Sequence, residues 1–225
     1  MSGRRVREDR KDTKDLNDSR GYMPSLASLW SLQSLPGTPA MTRGFIPTHG
    51  GYKKLLSYQK AEIVYDATVH FCDRFIDKRS RTHDQMIQAA RSGKQNIIEG
   101  SMASATSKET EIKLTNVARA SLEELLADYR DFLRVRGLQE WATDHAYTRR
   151  LRNLNRIPDA TYETFRKGVE HPDAAISANV IIGLIRVTSY LLDRQIRHLE
   201  QAFLQEGGLR ERMTRARLEE RKKAR

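Results

Sequence analysis

Over four long stretches of the chain, apolar residues recur every three or four positions. That spacing keeps them on one face of an α-helix. In the first stretch Lys60, Val64, Ala67, Phe71 and Phe75 form one stripe of a helix running from near Lys53 to near Lys78. The lysine at its edge is expected to snorkel, stem on the core and ammonium in water. In the second, Met86, Ala90, Gly93 and Ile97 share a face, with Ser80 or Thr82 as N-cap. Asp84 lies near the positive end of that helix, and Gly100 lies close to its finish. Glycine inside a helix costs about 1 kcal/mol relative to alanine, so Gly93 implies a close helix–helix approach. Thr106 and Glu109 have capping-box spacing for a third helix ending near Arg136, with Gly137 in the left-handed position beyond it. Leu114, Ala118, Leu122, Leu125, Tyr129 and Phe132 line its inner face. The last long helix starts at Pro172-Asp173 and stops at Gly207-Gly208. Ile181, Leu184, Thr188, Leu191, Gln195 and Leu199 trace its inner side, widened by Ile185, Leu192 and Phe203.

Between the third and last long helices, residues 138–172 are less regular. Trp141 to Asn155 predicts one short helix and Asp159 to Val169 another, separated by Pro158. No strand pattern and no internal repeat is present. The expected fold is all-α: an antiparallel up-and-down four-helix bundle over 44–208, with a short-helix insertion and disordered termini. Residues 1–21 are rich in Arg, Lys and Asp, and residues 1–43 read as a disordered extension. Within it Met23, Leu26, Leu29, Trp30, Leu32 and Leu35 suggest a short docking segment or, equally, an untethered stretch, and Met23 or Met41 is expected to be the native start.

Charge changes this picture mainly at the ends. The chain of 225 residues has a formal net charge of +11. Residues 1–43 contribute +3 and residues 209–225 contribute +5. A basic C-terminal tail over 209–225, with Arg210, Arg212, Arg215 and Arg217, points to an anionic partner such as nucleic acid. Cys72 is the single cysteine, set among apolar residues, which implies a buried inert thiol and a cytoplasmic protein. No apolar run reaches the roughly 20 residues that cross a bilayer, so no membrane role is expected.

Catalytic and metal motifs are missing. The six histidines are scattered, and no Glu-x-x-His element of a bundle di-metal site occurs. There is no glycine-rich phosphate loop and no Gly-x-Ser-x-Gly elbow, so no cofactor is implied. Glu124, Asp128 and Asp131 share one face of the third helix, expected to be solvated. Arg119, Glu123, Arg130 and Arg134 form a neighbouring face expected to hold weak i,i+4 ion pairs. Arg91 and Lys94 stand one turn apart on the second helix, and Lys108 and Lys113 follow across the turn. These four are candidate phosphate contacts, set against an ordinary solvated face. Asn96 and Glu99 are expected to bond the next turn or the third helix.

From Gln85 to Gly100 the sequence resembles a bacterial four-helix-bundle family. Gln85, Ala89-Ala90, Ser92, Asn96-Ile97 and Glu99-Gly100 fit its signature. That family includes proteins encoded in intervening sequences of 23S rRNA genes and the accessory variability protein of diversity-generating retroelements. The longer stretch from Gly50-Gly51-Tyr52 through Leu138 is similar to its four helix bundle suffix domain subgroup. The resemblance implies an up-and-down bundle. Its retroelement member implies a basic homopentamer that binds nucleic acid and a reverse transcriptase.

Together these readings predict a non-enzymatic, oligomeric binding module contacting RNA or DNA through its basic surface and tail. The alternative is a protein-interaction scaffold with no nucleic-acid role. The oligomer expectation rests on the resemblance and on Ile182 and Ile185 beside Ile181 and Leu184, an excess of apolar positions around the last helix.

Overall fold

A computed structural model describes residues 50–224. The extension 1–43, with its Trp30 segment and the two proposed start methionines, lies outside the described residues.

Among the described residues every regular element is helical. A single 3-10 turn, Tyr52–Lys54, leads into α1 (Leu56–Phe75). Then come α2 (Arg81–Ala103), α3 (Lys108–Val135), the short α4 (Ala146–Asn155) and α5 (Tyr162–Val169), α6 (Ala174–Glu206) and α7 (Leu209–Lys223). The ends follow local chemistry. Ser80 caps α2 by accepting from the Thr82 N–H at 3.2 Å. Asp173 caps α6 by accepting from the Ala175 N–H at 2.7 Å. Gly137 (φ +66°) and Gly207 (φ +71°) take left-handed positions just beyond α3 and α6, where a Cβ would strain the backbone.

The α3 cap differs from expectation. Ser107, not Thr106, is the N-cap, and its Oγ accepts from the Thr110 N–H at 3.1 Å. Thr106 donates its hydroxyl back to the Ala103 carbonyl of α2, and Glu109 pairs with Lys113. With two adjacent hydroxyls before the helix, the one whose backbone is extended takes the cap.

The long helices touch in the order α1–α2–α3–α6–α1, and α4 and α5 rest on α6. Phe71 of α1 anchors an aromatic cluster with Phe75 and with Tyr129 and Phe132 of α3, ring centroids 4.9–5.1 Å apart. Such tilted and edge-on pairs add about 0.5–1.5 kcal/mol each beyond their burial. Gly93 is where the sequence required a close approach: a Cβ there would stand 2.8 Å from Cδ2 of Leu122 on α3. Gly100 serves the same contact one level nearer the α2–α3 turn, where a Cβ would stand 3.4 Å from the Glu111 carbonyl oxygen.

The insertion is docked rather than loose. Asn179 of α6 accepts from the Trp141 N–H at 2.7 Å and donates to the Gln139 carbonyl at 3.0 Å, giving the segment entering α4 a two-point backbone clamp. Leu151 of α4 sits over Gly183, with no room for a Cβ between them. Ser177 Oγ donates to the Val169 carbonyl at 2.5 Å, holding the end of α5 on α6.

This docking changes two expectations. Ile181, Ile182, Leu184 and Ile185 are all buried within the chain. Their apolar excess faces the chain's own helices, so it supplies no argument for an oligomer. An 18-residue stretch of α6 is also apolar enough to cross a membrane by length and composition, contrary to expectation, and most of it is buried inside the fold.

Candidate functional site

The four phosphate candidates of α2 and α3 meet different neighbours. Arg91 is exposed. Lys94 is half-buried and turns toward α1, with Nζ 4.2 Å from the Tyr65 ring centroid, a cation–π contact. Lys108 pairs with Glu206 at the end of α6 at 3.6 Å, and Lys113 with Glu109 at 2.6 Å. Neither Arg91 nor Lys94 has an acidic partner among the described residues, although Lys94 meets an aromatic ring. The sequence placed them near one another in number, but helix rotation sends them to different neighbours.

The other mixed-sign residues also found partners beyond those expected. Arg119 reaches Asp193 of α6 at 2.5 Å, and Glu140 bridges Arg130 of α3 and Arg186 of α6. Arg134 pairs with Asp131 at i,i+3. No i,i+4 pair forms within the expected set, because acidic partners on α6 and in the insertion compete for the same guanidinium groups.

Of the signature residues, Asn96 is structural. Its Nδ2 donates to the Ser92 carbonyl at 2.9 Å and to Ser92 Oγ at 3.1 Å, and the Ser92 and Ser121 hydroxyls, the latter on α3, are hydrogen-bonded at 2.9 Å. The bond runs to the preceding turn, and Ser92 relays it to α3. Glu99 is exposed and makes no side-chain hydrogen bond or ion pair among the described residues, so the expected bond to the next turn or to α3 is not seen there. Gln85 is exposed and lines a polar surface groove with Ser92, Ser121, Glu124 and Asp128. Burial and the neighbouring Asp131 and Glu124 raise the Asp128 carboxyl above its usual range. No group of three His, Cys, Asp or Glu among the described residues is placed to hold a metal ion.

Cys72 is buried, and desolvation, then Asp73 and Asp128, push its thiol up to about 12. That thiol is protonated at neutral pH and a poor nucleophile.

The C-terminal tail is helical instead of disordered. Arg, Glu, Lys, Leu and Ala are strong helix formers, and the Glu211 carboxylate accepts from the Gly208 N–H at the start of α7 at 2.9 Å. No residue of α7 is buried. Arg210, Arg215 and Arg217 are exposed, whereas Arg212 is half-buried. At 3.6 residues per turn, Arg210, Arg217 and Arg221 fall within about 40° of one another, a stripe about 16 Å long. None of the three has an acidic partner among the described residues.

Two further features emerge only from the fold, one in the insertion and one on α1. The first is a basic helix with aromatic neighbours. Arg149, Arg150, Arg152 and Arg156 follow one another without an acidic residue between them. Trp141 stacks on His145 at 5.1 Å, with Tyr147 5.2 Å from Trp141. Trp141, Tyr147, Arg150 and Lys167 border a cleft of about 430 Å³ between α4, α5 and α6. The Arg-Arg-x-Arg run beside two aromatics was the available signal.

The second is Lys60. It does not snorkel. The side chain is 6 % exposed, and Nζ has no hydrogen-bond partner among the described residues. It lies 4.9 Å from the centroid of Phe165 of α5. The docked insertion closes the route to water that an isolated helix edge would have offered. Desolvation holds its amine below the ordinary lysine value.

No family model, no curated protein and no solved structure matches the chain.

Proposed function

We propose that the chain is a non-enzymatic nucleic-acid-binding module, in which an up-and-down four-helix bundle (α1, α2, α3 and α6) carries α7 as its phosphate-contacting arm. The observation that carries this reading is the α7 stripe: Arg210, Arg217 and Arg221 are exposed, aligned and without acidic partners among the described residues. Guanidinium groups so placed suit the oxygens of a phosphate backbone, a contact that positions nucleic acid without reading its sequence. The arginines of α4, beside Trp141 and Tyr147, add a second cationic surface with aromatic faces suited to unpaired bases. The helix order α1–α2–α3–α6 supports the bundle. The signature over Gln85–Gly100, with its two close-approach glycines, supports kinship with the bacterial four-helix-bundle family. A homo-oligomer, and a polymerase partner of the retroelement kind, rest on that kinship alone.

The test is fluorescence anisotropy with mixed-sequence single-stranded RNA and duplex DNA across a salt series. Each lost phosphate contact lowers the slope of log K against log salt by about 0.7–0.9. The triple variant R210Q/R217Q/R221Q should therefore reduce it by about 2 to 3. Absence of binding at low salt, or an unchanged slope in the variant, overturns the reading.

A protein scaffold is favoured by one observation. Phe203 and Leu204 near the end of α6, and Met213 and Leu218 on α7, are exposed large apolar side chains. Partners recovered from lysate after nuclease treatment, with no direct RNA or DNA binding, would select that reading instead.

A further inference from the structure

The cleft between α4, α5 and α6, of about 430 Å³, lies within the size range of small-molecule pockets. Leu151, Phe165 and Val180 are its buried lining, and Trp141, Tyr147, Leu154 and Ile176 its accessible apolar lining. Both flanks are tied to α6. Asn179 accepts from the Trp141 N–H at 2.7 Å on one side, and Ser177 Oγ donates to the Val169 carbonyl at the end of α5 on the other. A cleft held open before its ligand arrives pays little in ordering when the ligand binds.

The polar side chains that line the cleft are weighted toward donors. Arg150 on α4 and Lys167 on α5 are exposed cations with no acidic partner among the described residues. The His171 ring accepts from the Asp173 N–H through Nδ1 at 3.0 Å, which leaves the proton of a neutral ring on Nε2. Thr164 Oγ1 accepts from the Thr161 N–H at 3.2 Å, so its hydroxyl proton is left to donate. The Trp141 indole N–H can only donate. Of the lining residues only Glu163 is acidic, and its carboxylate is engaged by Arg166 at 3.1 Å. The cleft therefore offers cations and donors at its border, an apolar interior, and no free carboxylate to repel an anion.

We propose that this cleft binds a small aromatic carboxylic acid, with its ring against Trp141 and Tyr147 and its carboxylate at the cationic border. Either Arg150 or Lys167 can take the charge, so the ligand has no need to bridge them. An ionised carboxylate only accepts hydrogen bonds, which matches a border of donors. The predominantly apolar lining selects a plain ring over a sugar or a polyphosphate. The site is separate from α7 and does not depend on nucleic-acid binding there. It shares Arg150, Trp141 and Tyr147 with the second cationic surface proposed above, so a nucleotide is the comparison that separates the two uses.

Isothermal titration of 2-naphthoate into the full chain tests it, with 2-naphthamide (no charge), acetate (no ring) and adenosine monophosphate as comparison ligands. Naphthoate should bind one per chain and saturably, naphthamide about tenfold more weakly, and acetate without saturation. Arg150 and Lys167 are exposed, so R150Q/K167Q should fold and bind acid and amide alike. Tyr147→Ala should weaken acid and amide together, by about three- to tenfold. R210Q/R217Q/R221Q should bind naphthoate as the wild type does, which separates this site from α7. No saturable heat with naphthoate overturns the proposal. So does a preference for acid over amide that survives in R150Q/K167Q, because the charge would then be met elsewhere. Tighter binding of the nucleotide than of naphthoate overturns it in favour of a phosphate ligand.

Discussion

Replacing Lys60 by methionine should stabilise the protein, although it removes a charged residue from a strongly basic chain. Lys60 is 6 % exposed, and its ammonium has no hydrogen-bond partner among the described residues. Burying an unsatisfied polar group costs about 1–3 kcal/mol on the scale set by protein mutations. The Phe165 ring at 4.9 Å returns about 0.5–1 kcal/mol of that as a cation–π contact. Methionine keeps a flexible unbranched stem of similar reach, so little packing is lost. The net expectation is a gain of up to about 2.5 kcal/mol. Urea unfolding of the ligand-free protein reads it as a higher midpoint at unchanged m-value.

The pH dependence supplies a check on the cause. Desolvation holds the folded-state amine below its ordinary value of 10.5, which the unfolded chain retains. Well below the folded value both states bear the proton, and the wild type carries the full penalty. As pH rises from the folded value toward 10.5, the folded state releases its proton first and the wild type gains stability. The advantage of K60M should therefore shrink over that interval. A variant that is less stable than wild type at neutral pH, or an advantage that does not change with pH, would show that the ammonium is well satisfied.

Gly93→Ala places a methyl 2.8 Å from Leu122 Cδ2 in the core, so the overpacking cost of about 1–3 kcal/mol should outweigh the gain in helix propensity; thermal unfolding of the variant checks the sign. Asn179→Ala strands the Trp141 N–H and the Gln139 carbonyl, and should cost about 1–3 kcal/mol. Amide hydrogen exchange should then rise first in residues 139–160, and an effect spread evenly over the chain would refute the clamp. Cys72, buried and with its thiol pushed up to about 12, should resist aromatic disulfide reagents in the native state and react fully in denaturant. Rapid native labelling would refute its burial.

Helix boundaries were legible because they depend on neighbours in sequence. Ser80, Asp173, Gly137 and Gly207 act through backbone groups a few residues away, and each lies where the pattern put it. The core stripes were legible for the same reason: Val64, Ala67, Phe71, Leu122, Leu125 and Ile181 are all buried. Gly93 was readable too, since a residue that weakens its own helix must be justified by something outside it. Where two adjacent hydroxyls competed for one cap, at Thr106 and Ser107, the sequence alone did not discriminate.

The candidate site was far less legible. Lys108 and Lys113 are basic in any list of residues, but whether each charge is spent depends on Glu206 and Glu109. Glu109 is four residues from Lys113, whereas Glu206 is distant in the chain and reaches Lys108 only through the fold. Lys94 was lost to Tyr65 in the same way. The four-residue periodicity of the chain therefore determined that it is helical, which faces are apolar, and that the C-terminal end is basic. Only the tertiary structure decided that the insertion folds back onto α6, that this seals Lys60 from water, and that α7 keeps a cationic stripe with no acidic partner among the described residues. The physical reason is range: propensity, capping and periodicity act within a turn or two, whereas burial and the pairing of charges are set by residues dozens of positions away.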